Sequence, residues 1–96
     1  MASFRPETHK TLVSLLIEQR KAKKLSLRKV VSRLPEWMGF QFSTMGKIER
    51  GERDVSYAEL REIAQVLGTS VATLALRVEE IVAAKDQAAG RARKKR

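Results

Sequence analysis

The sequence predicts an all-α fold in which five helices form one small domain. Apolar residues recur at spacings of three and four, as along one face of a helix, most clearly at Leu60, Ile63, Ala64 and Leu67. Between such segments stand serines suited to begin a helix, and a proline or glycines suited to end one. We therefore expect a domain over residues 6–89, a flexible N-terminus over residues 1–5, and a disordered basic tail over residues 90–96.

The first two predicted helices cover residues 6–23 and 27–34. Pro6 suits the first turn of a helix, because the N–H that proline lacks has no partner there. Ser26 suits the N-cap of the second helix. Pro35 ends that helix, since proline disfavours helical dihedrals in the preceding residue and cannot donate a hydrogen bond.

Residues 35–41 form a predicted loop that holds the single tryptophan, Trp37, together with Met38 and Phe40. In one interpretation, Trp37 and Phe40 fold back over the edge of the core. In the other, these side chains contact DNA or a partner subunit. The sequence leaves both interpretations open.

The third predicted helix, residues 42–50, has two different sides and ends at Gly51, which suits the left-handed position after a helix. Met45, Ile48 and Glu49 share one side at helical spacing. The other side carries Phe42, Ser43, Gly46, Lys47 and Arg50. One side can therefore pack against the protein while the other contacts a partner.

The last two predicted helices are marked by their caps. Ser56 and Glu59 form an S-x-x-E capping box that begins the fourth helix, which ends at Gly68. Ser70 can cap a fifth helix that extends to residue 89. The apolar stripe of this helix consists of Leu74, Val78, Ile81 and Val82. Because the helix is long for so small a domain, we expect this stripe to form a dimer interface.

The net charge of +9 is unevenly distributed. Residues 1–53 hold twelve Lys and Arg against five Asp and Glu, a net charge of +7. Residues 54–90 hold three against six, a net charge of −3, and residues 91–96 hold five basic residues and no acidic ones. Basic surfaces of this kind are typical of proteins that bind a polyanion such as nucleic acid.

Several functional classes are disfavoured by composition. The chain has no cysteine and one histidine, so neither a disulfide framework, a zinc site nor a Ser/His/Asp triad is expected. We therefore expect no enzyme activity, no metal and no cofactor. No apolar run is long enough to span a membrane and no signal-peptide pattern is present, which favours the cytoplasm.

Four short motifs, in their order and spacing, resemble those of the lambda-repressor-like (XRE-type) helix-turn-helix family. They are Arg20 late in the first helix, Leu25-Ser26 before the second, Ile48–Arg53 (I-E-R-G-E-R) after the third, and Ala64–Gly68 (A-x-x-L-G) after the fourth. The resemblance covers residues 10–76. The loop at residues 35–41 is longer than the tight turn of this family.

The resemblance implies a sequence-specific, double-stranded DNA-binding transcription regulator, repressor-like in character. A homodimer would place its helices 42–50 in successive major grooves of an inverted repeat. Lys47 is expected to donate to guanine, and Ser43 to donate to or accept from a base. Two roles stay open for Phe42: contact with a thymine methyl group, or packing against Trp37. The further DNA contacts expected are Arg28, Gln41, Thr44, Arg50 and Arg53, most of them to phosphates.

The resemblance also implies a buried salt bridge between Arg20 and Glu49 that fixes the third helix against the first. A second hypothesis is a protein-interaction module such as an antitoxin, which binds a partner through Trp37, Met38 and Phe40 and for which DNA binding is secondary. An exposed Trp37 would favour this hypothesis. Non-specific nucleic-acid binding through the basic tail is a third, and the tail could instead aid solubility alone.

Overall fold

The computed structural model describes residues 6–94, and the regular elements in this range are all helices. They are α1 (Glu7–Ala22), α2 (Leu27–Ser32), α3 (Phe42–Glu49), α4 (Tyr57–Val66) and α5 (Val71–Lys94), with a 3₁₀ turn (Glu36–Met38) between α2 and α3. The predicted all-α class and the five α-helices are confirmed for the described residues. Residues 1–5, expected to be flexible, lie outside this range.

The predicted caps explain why the helices begin where they do. The Ser26 hydroxyl accepts a hydrogen bond from the Lys29 N–H at 3.0 Å. Ser56 and Glu59 form the reciprocal capping box: the Ser56 hydroxyl accepts from the Glu59 N–H at 3.2 Å, and the Glu59 carboxylate accepts from the Ser56 N–H at 2.9 Å. Gly51 follows α3 with φ +75°, a left-handed conformation that favours glycine.

The core lies where the five helices meet, and each of them contributes to it. The largest fully buried side chains are Leu16, Val30, Met45, Ile48, Ile63 and Leu67. Burying one such side chain contributes about 1.5–3 kcal/mol, so a small set of them can stabilise a domain of this size.

The apolar stripe of α5 packs inside its own chain. Leu74 and Val78 are only 3% and 7% exposed, and Ile81 and Val82 are half-buried against the same core. The protein's own helices, chiefly α1, therefore cover Leu74 and Val78, which leaves these two side chains little surface for the expected dimer contact. An exposed ion pair at 2.8 Å between Lys85 Nζ and Glu7 adds to the contact between α5 and α1.

The C-terminal end of α5 also differs from the prediction. The helix continues past residue 89 and through Gly90 to Lys94, whereas the sequence predicts a disordered tail over residues 90–96. A glycine inside a helix costs about 1 kcal/mol, which the neighbouring alanines and basic residues, good helix formers, can offset. Residues 95 and 96 lie outside the described range. Within that range, no helix combines the length and the apolar character needed to cross a bilayer.

Candidate nucleic-acid interface

The inner side of α3 is fixed to the core and to α1. Met45 and Ile48 are fully buried. Arg20 and Glu49 form the salt bridge implied by the resemblance, with Nε donating to Oε2 at 2.7 Å and Nη2 to Oε1 at 3.0 Å. Arg20 Nη1 also donates to the Leu25 carbonyl oxygen at 2.9 Å. One guanidinium group therefore joins α1, the α1–α2 junction and α3.

The opposite side of α3, here called the outer face, is exposed. It comprises Gln41, Phe42, Ser43 and Lys47. Thr44 is half-buried beside it, and its hydroxyl oxygen accepts a hydrogen bond from the Gln41 N–H at 3.3 Å. This bond helps to cap α3 and leaves the Thr44 hydroxyl proton available as a donor. Five of the expected DNA contacts therefore lie together at the start and along one side of α3.

Arg28 connects this face with α2. Its guanidinium carbon lies 3.9 Å from the centroid of the Phe42 ring, and the ring itself is 44% exposed. At this distance the cation is attracted to the negative face of the ring. Both residues are expected from the sequence to contact DNA. Their contact with each other is not predicted, since no local pattern links α2 to the start of α3.

Two arginines expected to contact phosphates are paired with carboxylates instead. Arg50 Nε lies 3.0 Å from Glu52, and both side chains are largely exposed. Arg53 donates to both carboxylate oxygens of Glu59, at 3.2 and 3.1 Å, and to the Asp54 carbonyl oxygen at 2.9 Å. A phosphate would have to compete with a carboxylate of the same chain at both positions.

The Arg53–Glu59 pair also affects ionisation. The hydrogen bonds from Arg53 hold the pKa of the Glu59 carboxyl below its ordinary value, with a further contribution from the Ser56 N–H in the capping box, against the opposing effect of burial. The same pairing raises the pKa of Arg53. Both groups are therefore charged at neutral pH, and the pair ties the loop after α3 to α4.

Other basic side chains near α3 have no ion-pair partner among the described residues. They are Arg28, Lys29, Arg33 and Lys47, all of them exposed. Lys29 and Arg33 were not among the DNA contacts expected from the sequence. The sequence feature that could have identified them is the stretch 21–33, which holds six Lys and Arg and no acidic residue. Cations without a carboxylate partner remain available to an external anion.

Gly46 lies within α3, where a glycine needs an explanation. A Cβ atom at this position would lie 3.1 Å from Arg50 Nη1 and 3.7 Å from Leu27 Cδ1. The missing side chain therefore leaves space for the Arg50 guanidinium and for close packing of α2 on α3. Packing within the chain therefore explains the glycine at this position without a contact to DNA.

The loop aromatics separate into one covered and one exposed residue. Phe40 is half-buried against the core, and the Arg53 guanidinium lies 5.0 Å from its ring centroid. Trp37, on the 3₁₀ turn, is 61% exposed. The interpretation in which both fold back is right for Phe40 and wrong for Trp37, because the turn directs the two side chains differently.

Comparison with protein-family models, with curated proteins and with solved structures finds no match to this chain. We therefore infer the function from the side chains of this surface. The resemblance of Ile48–Arg53 and Ala64–Gly68 to the XRE-type family stays an expectation based on motifs.

Proposed function

We propose that the protein is a sequence-specific double-stranded DNA-binding transcription regulator of the lambda-repressor-like helix-turn-helix type, with α3 as its recognition helix. One observation carries the proposal: α3 has a fixed inner side and an unpaired basic outer one. Met45, Ile48 and the Arg20–Glu49 pair hold the inner side. The outer face presents Lys47, which forms no ion pair among the described residues. The nearby Glu52 is paired with Arg50, and the pKa of its carboxyl is lowered first by Arg50 and to a smaller extent by Lys47.

The dimensions and chemistry of α3 suit the major groove. A helix is about 10–12 Å across with its side chains, and the groove of B-DNA is about 12 Å wide. In this position Lys47 would donate to guanine O6 and N7, and Ser43 would donate to or accept from a base edge. Thr44 and the cations of α2 would donate to phosphates, which set the position of the protein on the duplex without reading sequence.

A symmetric regulator also needs a surface for a second copy, and we propose the exposed apolar residues of α4 and α5. Tyr57 is 71% exposed and Leu76 is 61% exposed. Ala72 lies one turn before Leu76, on the side of α5 opposite the buried stripe. Tyr57 and Ala72 line the same open cavity of about 270 Å³. These residues replace the buried stripe as the proposed dimer contact.

Selection of binding sites from random duplex DNA tests this function. A dimeric regulator should enrich an inverted repeat whose half-sites lie about one helical turn apart. The Lys47→Ala variant should lose or change that preference. The matched control is Lys10→Ala, which removes an exposed lysine from α1, outside the proposed DNA and dimer surfaces. Failure to enrich any sequence would contradict sequence-specific binding.

A second candidate function is a protein-interaction module, and the exposure of Trp37 is the observation that favours it. A large aromatic side chain exposed to solvent is typical of a surface that binds another protein. A photo-crosslinking amino acid at position 37 should then capture one defined protein in cells, whereas the same group at position 18, an exposed site on α1, should not. If crosslinking at position 37 is no more selective than at position 18, this candidate is contradicted.

A further inference from the structure

The contact between Arg28 and Phe42 gives a role to a residue for which the sequence left two roles open. We propose that Phe42 is a positioning residue whose ring holds the Arg28 guanidinium so that its N–H groups face a DNA backbone phosphate beside α3. The inference rests on the proposed DNA-binding function. It differs from both sequence expectations, in which Phe42 contacts a thymine methyl group or packs against Trp37.

The geometry leaves the donors of Arg28 unused. A guanidinium is planar, so stacking over a ring occupies its face, while its five N–H groups point outward in its plane. No described residue accepts a hydrogen bond or forms an ion pair with these donors. By contrast, Arg20, Arg50 and Arg53, which also lie close to α3, are all paired with carboxylates.

The position of Arg28 favours a phosphate as its ligand. Arg28 belongs to the first turn of α2, so it reaches the outer face from beside the recognition helix. The fork of donors in arginine matches two oxygens of one phosphate group. An arginine without a stacking partner would sample many rotamers and lose that freedom on binding. The Phe42 ring reduces this loss by selecting one orientation before DNA arrives.

A double-mutant cycle tests the inference on the duplex obtained by site selection, with affinity measured by fluorescence anisotropy of labelled DNA. Arg28→Ala should weaken binding about fivefold or more and lower the salt dependence by about one phosphate contact. Phe42→Leu should weaken it about two- to fivefold, the range of an exposed cation–π contact. In the Arg28→Ala background, Phe42→Leu should have no further effect. Phe42→Tyr, which keeps the ring, should bind like the wild type.

Arg33→Ala is the matched control for this cycle, because Arg33 is an exposed, unpaired basic residue near the end of α2 without a ring contact to Phe42. Its effect on affinity should combine additively with that of Phe42→Leu. Circular dichroism of each variant should show unchanged helix content, since Phe42 and Arg28 are both exposed.

Three outcomes would overturn the inference while leaving the proposed function standing. One is an equal loss of DNA affinity on Phe42→Leu with and without Arg28, which would mean that Phe42 touches DNA itself. Another is no loss of DNA affinity on Phe42→Leu. The third is a changed site preference on Arg28→Ala with an unchanged salt slope, which would mean that Arg28 reads a base. If the wild type binds no duplex at all, both the proposed function and this inference fail.

Discussion

The outer face of α3 and the segment that leaves α3, residues 49–53, are both rich in charge, yet their charges meet different partners. In the exit segment, Glu49, Arg50, Glu52 and Arg53 are each paired within the chain. On the outer face, Lys47 and the neighbouring Arg28 form no ion pair with a described carboxylate. The pairing of the charges, rather than their density, therefore separates the residues that stabilise the fold from those proposed to bind DNA.

The motif that carries most of the resemblance to the XRE-type family lies in the paired segment. Its residues hold α3 in place through contacts with α1 and α4. The residues proposed to touch DNA lie outside that motif, along the outer face of α3 and on α2. A shared motif would thus support a shared fold, and the DNA sequence bound would depend on residues that the motif does not include.

Glu49→Gln should have the largest effect and tests the exit segment. Both side chains of the pair are mostly buried, so removing one charge strands the other, at a cost of about 3 kcal/mol of folding stability. Thermal and urea unfolding measure it. The control is Glu52→Gln, which breaks an exposed pair and should leave the melting temperature unchanged. If Glu49→Gln alters neither melting temperature nor DNA affinity, the pair does not fix α3.

Lys47→Ala should have the next largest effect and tests the outer face. Loss of one base contact should weaken binding to the selected duplex about tenfold. Stability should not change, because Lys47 is exposed and unpaired. Arg50→Ala provides the comparison, since its guanidinium is already engaged by Glu52 and should contribute less to DNA affinity. A larger loss of DNA affinity for Arg50→Ala than for Lys47→Ala would contradict the distinction between the exit segment and the outer face.

Gly46→Ala should have a smaller effect and should raise folding stability, in contrast to Glu49→Gln. Alanine in place of glycine inside a helix favours folding by about 0.5–1 kcal/mol. The added Cβ would press mainly on the flexible end of Arg50, which can move away. We expect a higher melting temperature with unchanged DNA affinity. Reduced affinity in a stabilised variant would show that Gly46 permits close approach of DNA, in addition to its packing role.

The pH dependence of the Arg53–Glu59 pair should give the smallest effect. The pKa of Glu59 is lowered in the folded state from its ordinary value of 4.5, because Arg53 and the capping box favour the carboxylate. Stability from this group is thus fully present above pH 4.5 and lost as pH falls through the lower folded pKa. The melting temperature of the wild type should therefore fall more steeply below pH 4.5 than that of Glu59→Gln. Equal slopes would contradict this assignment.

Local signals predicted much of the fold. The capping box of Ser56 and Glu59 and the left-handed Gly51 require only residues close in sequence, and the structure contains both. The bounds of α3 differ by one residue from those predicted, since Arg50 is the C-cap and not part of the helix. The Arg20–Glu49 contact is not local, and it could be anticipated only through the family resemblance.

Other features could not be read from the sequence, because they depend on tertiary packing. An apolar stripe such as that of Leu74 and Val78 shows that a helix face is buried but does not say which surface covers it. Likewise, Arg53 and Arg28 look alike as exposed arginines in sequence. Only the folded chain brings the Glu59 carboxylate to the first and the Phe42 ring to the second.

The Arg20–Glu49 pair has a consequence for folding kinetics. Its two residues are 29 positions apart, so formation of the pair carries the entropy cost of closing the chain between them. We expect so distant a contact to form after the folding transition state. We therefore expect loss of Glu49 to leave the folding rate nearly unchanged and to speed unfolding. The lifetime of the docked α3 would then depend on one guanidinium group that lies outside it.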